Sequence, residues 1–371
     1  EFANVLEQLE TEFYAQALKK FVASDFTAAG FSSANIAIEQ FTAISIDEST
    51  HTTILQETIV SLGATPVTSC SFDFSSVLTD VSTMMPVARL VEMTGVGAYL
   101  GAAHLVSDPT LLTAAASIVT VESRHQTILN IFSGGSASAI PGAFDLPLTP
   151  NEVLAIAGGF ISGCDLGITA NAALSITTTE SLVAGTSLSF KSSAINGSTD
   201  VGSNIRGMHC QMLAGGLPFS ISLPMSSCAI PAGITGPVAI FITSDDQPLN
   251  NNARDRIDNT VIAGPTIIFV DNQAQTLGSL VRNVGGSATN ATVTQTISPE
   301  QATSILNSAS PAATATSSES ISTETIAASS ASAIISSVAA SATPANNAGS
   351  GAAPANGGGV VISMIPIPTS A

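Results

Sequence analysis

Two short patterns recur in order along the first third of this chain: Glu7-x6-Tyr14 followed by Glu48-x-x-His51, then Glu92-x6-Tyr99 followed by Glu122-x-x-His125. On a helix, residues three apart share a face, and residues seven apart lie about 20° from one another. Each pattern therefore puts its members on one side of its own helix, and the set calls for four helices facing a common interior. One Glu from each of two helices, with a Glu-x-x-His pair from each of two others, is a donor set with which a four-helix bundle holds two metal ions. Four carboxylates balance two divalent cations, and two imidazoles give one nitrogen to each. The chain has only two tyrosines and four histidines. Both tyrosines and two of the histidines fall within the pattern, which makes coincidence a poor account of it. Exposed Glu and His on amphipathic helices would be the ordinary reading of one Glu-x-x-His. Here that reading must hold four times, against apolar neighbours such as Leu6, Leu9 and Phe13 around Glu7 and Ile118, Val121 and Ile128 around Glu122.

Helical periodicity agrees with the pattern. Phe2, Val5, Leu6, Leu9, Phe13 and Ala17 recur at spacings of three and four and predict a helix over 2–22. A second is expected over 34–62, capped by Ser32 or Ser33 and stopped at Gly63. Residues 64–82, at roughly 3.3 Å per extended residue, can run the length of a bundle as its one long crossover. The third helix is expected from 84 to 106, where Gly95 and Gly97 allow close packing. Asp108 as N-cap and Pro109 in the first turn open a fourth, running to 132. Thr149-Pro150-Asn151-Glu152 reads as a capping box before a short helix that ends near 161.

Not every assignment is settled by spacing. Glu10 lies three residues from Glu7 and could take its place as ligand, although the distance to Tyr14 favours Glu7. Asp47 could orient a ligating histidine from behind, but Val121 stands at the equivalent place in the second pair. His104 and His209 are expected outside the site.

Beyond 165 the period changes. Apolar or alternating runs at 174–177, 188–191, 219–223 and 238–243, separated by Gly, Asn, Pro and Asp, predict a small β-sandwich over 166–285. Residues 286–371 are mostly Ser, Thr, Ala, Pro, Asn and Gly and lack Lys, Arg and aromatics; composition fits an O-glycosylated stalk and a plain linker equally well. The expected organisation is thus a bundle with its short helix over 1–165, the sandwich, and this tail. Cys70, Cys164, Cys210 and Cys228 lack the spacing of a zinc or redox site and read as two disulfides. Of three connectivities, Cys210–Cys228 on neighbouring strands with Cys70–Cys164 between crossover and bundle exit is preferred. Disulfides, sequons at Asn196 and Asn290, and an opening Glu1-Phe2-Ala3 without a basic or apolar leader agree with a processed, secreted protein at the cell exterior or wall.

Nine basic against 27 acidic residues argue against nucleic acid or an anionic membrane surface as partner. No apolar run approaches the roughly 18–20 residues of a membrane span. With no Trp or Tyr in the strand region, sugar-stacking platforms are missing as well.

The segments LEQLETEFY, IDESTH, VEMTGVGAY and VESRHQTIL resemble the ferritin-like domain family, and within it the secreted ferritin-like proteins of fungi and the desiccation-related proteins of plants. The resemblance covers residues 1 to about 165. It implies a ferritin-like bundle in which Glu7, Glu48, His51, Glu92, Glu122 and His125 hold two divalent ions, iron or manganese with zinc compatible, and Tyr14 and Tyr99 lie behind the ligands. The implied function is a di-metal centre with oxidase or peroxide-type redox activity in stress protection. The competing expectation is a structural surface or matrix glycoprotein that self-assembles into oligomers or filaments, or associates with a cell wall, using the bundle as scaffold.

Overall fold

The computed structural model of the chain describes residues 1–195 and 207–282; the sequons at Asn196 and Asn290 and the 286–371 tail lie outside the described residues. Helix α1 spans Phe2–Lys20, a short α2 Ala23–Ala28, and α3 Ala34–Ser61. The crossover follows and carries strand β1, Ser71–Phe72. Helix α4 spans Val81–Ala102 and α5 Pro109–Phe132. The caps explain the boundaries: Asp80 accepts from the Thr83 amide, and Asp108 accepts from the amides of Thr110 and Leu111 with Pro109 in the first turn. Helix α4 begins three residues earlier than its sequence suggests, because Pro86 sits inside it and obscures the start. Helix α1 packs against α3 and α4 against α5, giving two antiparallel pairs. Phe13, Phe26, Phe31, Phe41, Phe74 and Phe132 fill the space between them largely edge to face, for example Phe13 and Phe74 at 5.2 Å between ring centres. Burial of each such ring contributes about 1.5–3 kcal/mol.

Helix α6, Pro150–Ala157, follows the bundle, with the reciprocal contact of Thr149 and Glu152 that the capping box predicts. Strand β2, Ile161–Ser162, then pairs with β1, and the Cys70–Cys164 disulfide fastens the crossover beside that pairing. The strand-rich region contains β3, Ser175–Ile176, paired with β4, Phe190–Lys191, and an antiparallel sheet of β5, His209–Ala214, β6, Ile221–Pro224, β7, Gly236–Thr243, and β8, Val261–Val270, in the order β6-β5-β7-β8. The second disulfide joins Cys210 in β5 to Cys228 just beyond β6. Helix α7, Thr276–Val281, brings the chain back to the bundle, where the Ser32 amide donates to the Val281 carbonyl.

The layering differs from a free-standing sandwich. One face of the sheet, with Cys210, Met212, Val238, Ile240 and Ile242, is covered by Leu174, Leu188 and Phe190. The other, with Leu213, Ala239, Phe241 and Ile267, packs on Leu6 of α1, Met93 and Val96 of α4, and Val153 of α6. The sheet is a middle layer that shares its core with the bundle. Glycine makes the approach close: a Cβ on Gly101 would come within 1.8 Å of the Leu148 carbonyl oxygen, and the Leu148 amide donates to Gly97 at 2.8 Å. Two buried arginines fasten the layers. Arg89 of α4 binds Asp271 through two nitrogens and Asn130 through a third. Arg256 pairs with Glu152 and donates to the carbonyls of Pro147, Asn250 and Asn251.

Candidate metal centre

The bundle brings all six sequence-predicted ligands to one place. Glu7 comes from α1, Glu48 and His51 from α3, Glu92 from α4, and Glu122 and His125 from α5. They form two overlapping groups, Glu7–Glu48–His51–Glu122 and Glu48–Glu92–Glu122–His125, and within each group one donor atom per residue lies within 4.8 Å of the others. Glu48 and Glu122 belong to both groups, while Glu7 with His51 and Glu92 with His125 stand at the two ends of the cluster.

Five of the cluster's polar atoms lack a hydrogen-bond partner, which is what distinguishes it from an acidic patch. Glu7, Glu48, Glu92 and Glu122 are fully buried. Both oxygens of Glu122, Oε1 of Glu48, Oε2 of Glu92 and Nδ1 of His125 have no hydrogen bond. His125 Nδ1 is 2.8 Å from Glu48 Oε1 and 3.3 Å from Glu92 Oε2 without the alignment of a hydrogen bond, so these lone pairs converge on one region. Leaving such groups buried and unpaired costs several kcal/mol. A cation between them would relieve that cost, and carboxylate oxygen with imidazole nitrogen suits iron, manganese and zinc.

The tyrosines act crosswise. Tyr14 of α1 donates to Oε1 of Glu92 on α4 at 2.5 Å, and Tyr99 of α4 donates to Oε1 of Glu7 on α1. Each therefore fixes the terminal carboxylate of the other helix. Burial first, and then the carboxylate each one faces, pushes both hydroxyls above the ordinary tyrosine range and keeps them as donors.

Glu10 also lies in this centre. It is buried with its Oε1 and Oε2 of Glu122 both against Gly95, where a Cβ would meet each at 2.8 Å. It adds a carboxylate beside Glu122, where spacing alone offered it only as a substitute for Glu7. Its sequence signal was the i, i+3 relation to Glu7. Asp47 is 3.2 Å from Nε2 of His125, the position of an orienting partner. His104, in a turn after α4, and His209, in β5, belong to neither group.

Burial, then the adjacent carboxylates, pushes Glu122 and Glu10 well above the usual carboxylate range. Burial likewise raises Glu48, to about 7, against the opposing contacts of His125 and His51. Burial disfavours the charged imidazoles, but the surrounding carboxylates outweigh it and raise His51 to about 12 and His125 to about 11. A centre without metal would thus store protons in the space between its carboxylates. Through Glu48 the folded state then binds more protons than the unfolded chain from pH 4.5 to about 7, and through the histidines it does so from 6.5 to about 11–12. Stability falls with rising pH wherever the folded state binds more protons. The melting temperature of chelator-stripped protein is therefore expected to decline from pH 5 to 9, and a flat or rising profile would contradict this charge distribution.

Residues 1–134 match the ferritin-like domain family. The helical N-terminal unit is a ferritin-like domain. No curated protein matches the chain. Around the ferritin-like domain, α3 and α5 face each other across a cleft of about 560 Å³ lined by Asp47, Thr50, His51, Val121, Arg124 and His125. The opposite side, at α1 and α4, is covered by α6 and the sheet. Among the described residues, no helix is long and apolar enough to cross a membrane.

Proposed function

We propose that the ferritin-like domain holds two divalent ions, iron or manganese, between Glu7, Glu48, His51, Glu92, Glu122 and His125, and that the protein is a secreted redox protein acting on a metal ion, dioxygen or peroxide. The observation that carries this reading is the pair of donor groups that share Glu48 and Glu122, in which five buried polar atoms have no hydrogen-bond partner. Bound iron or manganese would supply one-electron redox chemistry. The protein groups have separate tasks: the tyrosines hold the terminal carboxylates, the apolar shell around Phe13, Phe41 and Phe132 excludes bulk water on the inner side, and the α3–α5 cleft admits small molecules. Disulfides in both regions suit an oxidising exterior.

The test is elemental analysis of natively purified full-length chain, followed by dioxygen and peroxide consumption with and without added ferrous ion. About two ions per chain and turnover that is lost on chelation are expected. Metal-free native protein with intact helices would sink the reading. The scaffold alternative draws on β6, which ends the four-stranded sheet with an edge that could pair with another strand. Growth of the same preparation into filaments, seen by light scattering, would favour it.

A further inference from the structure

The two ends of the centre are alike in most respects. Each terminal carboxylate receives a tyrosine hydrogen bond, each histidine turns Nδ1 inward, and Glu48 and Glu122 serve both groups. They differ behind the histidines. Nε2 of His125 is held by Oδ2 of Asp47 at 3.2 Å. Nε2 of His51 has no hydrogen-bond partner among the described residues; both rings and Asp47 border the open α3–α5 cleft, so the carboxylate support is what differs. The residue in α5 that corresponds to Asp47, immediately before the Glu of the Glu-x-x-His pair, is Val121, and it lines the same cleft.

A carboxylate behind a ligating histidine fixes its tautomer and ring orientation and makes the other nitrogen a better donor; losing it typically costs 10–100-fold in metal affinity. This chain supplies that support at one end and withholds it at the other. We propose that the two metal positions are unequal: the Glu92–His125 end, supported by Asp47, binds the first ion tightly, and the Glu7–His51 end binds the second weakly and exchanges it through the cleft. The inference rests on the two-ion reading above and extends it by assigning Asp47 as a positioning residue and the His51 end as the place where a divalent cation enters and leaves. Because the difference lies behind the ligands, the ligand count does not reveal it.

Cobalt(II) titration of the metal-free full-length protein, followed by calorimetry and by visible absorption of the bound ion, tests this. Wild type is expected to show two steps about 10–100-fold apart in affinity. Asp47→Asn should weaken the tight step by roughly tenfold or more and leave the weak one in place, so the steps approach each other. Val121→Asp should instead tighten the weak step. Asp47 is half exposed, and an unchanged melting temperature of metal-free Asp47→Asn protein separates positioning from a general structural effect. Two equal steps in wild type, or an equal change of both steps in Asp47→Asn, would overturn the proposal while the two-ion reading stands. No cobalt bound by folded wild type would overturn the two-ion reading and this proposal with it.

Discussion

Replacing Glu48 and Glu122 together by alanine is expected to reduce metal content from about two ions per chain to none. Each carboxylate belongs to both donor groups, so the double variant takes two of four ligands from either end at once. The effect on stability separates two roles for the metal. Ligand binding stabilises a folded protein by about 4 kcal/mol when free ligand stands a thousandfold above its dissociation constant. The loaded wild type should therefore exceed the variant by about that much per tightly bound ion, whereas chelator-stripped wild type should not. Removing two buried carboxylates also removes an electrostatic penalty from the metal-free fold, which offsets the packing lost at positions 48 and 122. Metal analysis and thermal unfolding of four samples, wild type and variant with and without chelator, read out both effects. Retention of two ions by the variant would place the ligands elsewhere. A variant that cannot fold even where stripped wild type does would assign these carboxylates a structural role.

Arg256→Ala should be the most damaging single change outside the centre. The guanidinium and the Glu152 carboxylate are both fully buried, and Arg256 also satisfies three backbone carbonyls. Truncating one partner of such a pair strands the other charge, at about 3–5 kcal/mol. Replacing both, Glu152→Leu with Arg256→Met, should recover part of that loss, because an apolar pair can substitute for a buried ion pair. Recovery should stay incomplete, since the carbonyls of Pro147, Asn250 and Asn251 would still lack a donor. Denaturant unfolding monitored by circular dichroism measures both variants. An Arg256→Ala protein within about 1 kcal/mol of wild type would show that the Arg256–Glu152 pair adds little to the joining of the layers.

The helices were legible because each carries its own punctuation. Asp108-Pro109 and Thr149-Pro150-Asn151-Glu152 mark starts by local hydrogen bonding, and the Glu-x-x-His spacing fixes which face carries the donors. Misreading came where a local rule competed: Pro86, tolerated near the start of α4, hid three residues of that helix, and α2 buries only Phe26, too little to leave a periodic stripe. Contacts between distant segments left no such mark. Nothing near Tyr14 indicates that its hydroxyl will reach Glu92, 78 residues on, rather than a carboxylate of its own helix. Glu10 shares a face with Glu7, but its place beside Glu122 depends on Gly95 of a third helix being bare. Strand β7 was readable from the run at 238–243, whereas β5 and β8 were not among the runs read from the sequence. The near-continuous apolar character of β7 and β8 has a cause outside the strand pattern, since both faces of the sheet are covered, one by residues 174–190 and one by the bundle.

That two-sided covering gives the ferritin-like domain a front and a back. Helices α1 and α4 are occupied by the sheet, while α3 and α5 present the cleft and the outward nitrogen of His51. A tether, antibody or immobilising support fixed to the sheet would leave that entrance facing the medium, so the protein could be anchored by one side and still trade ions through the other.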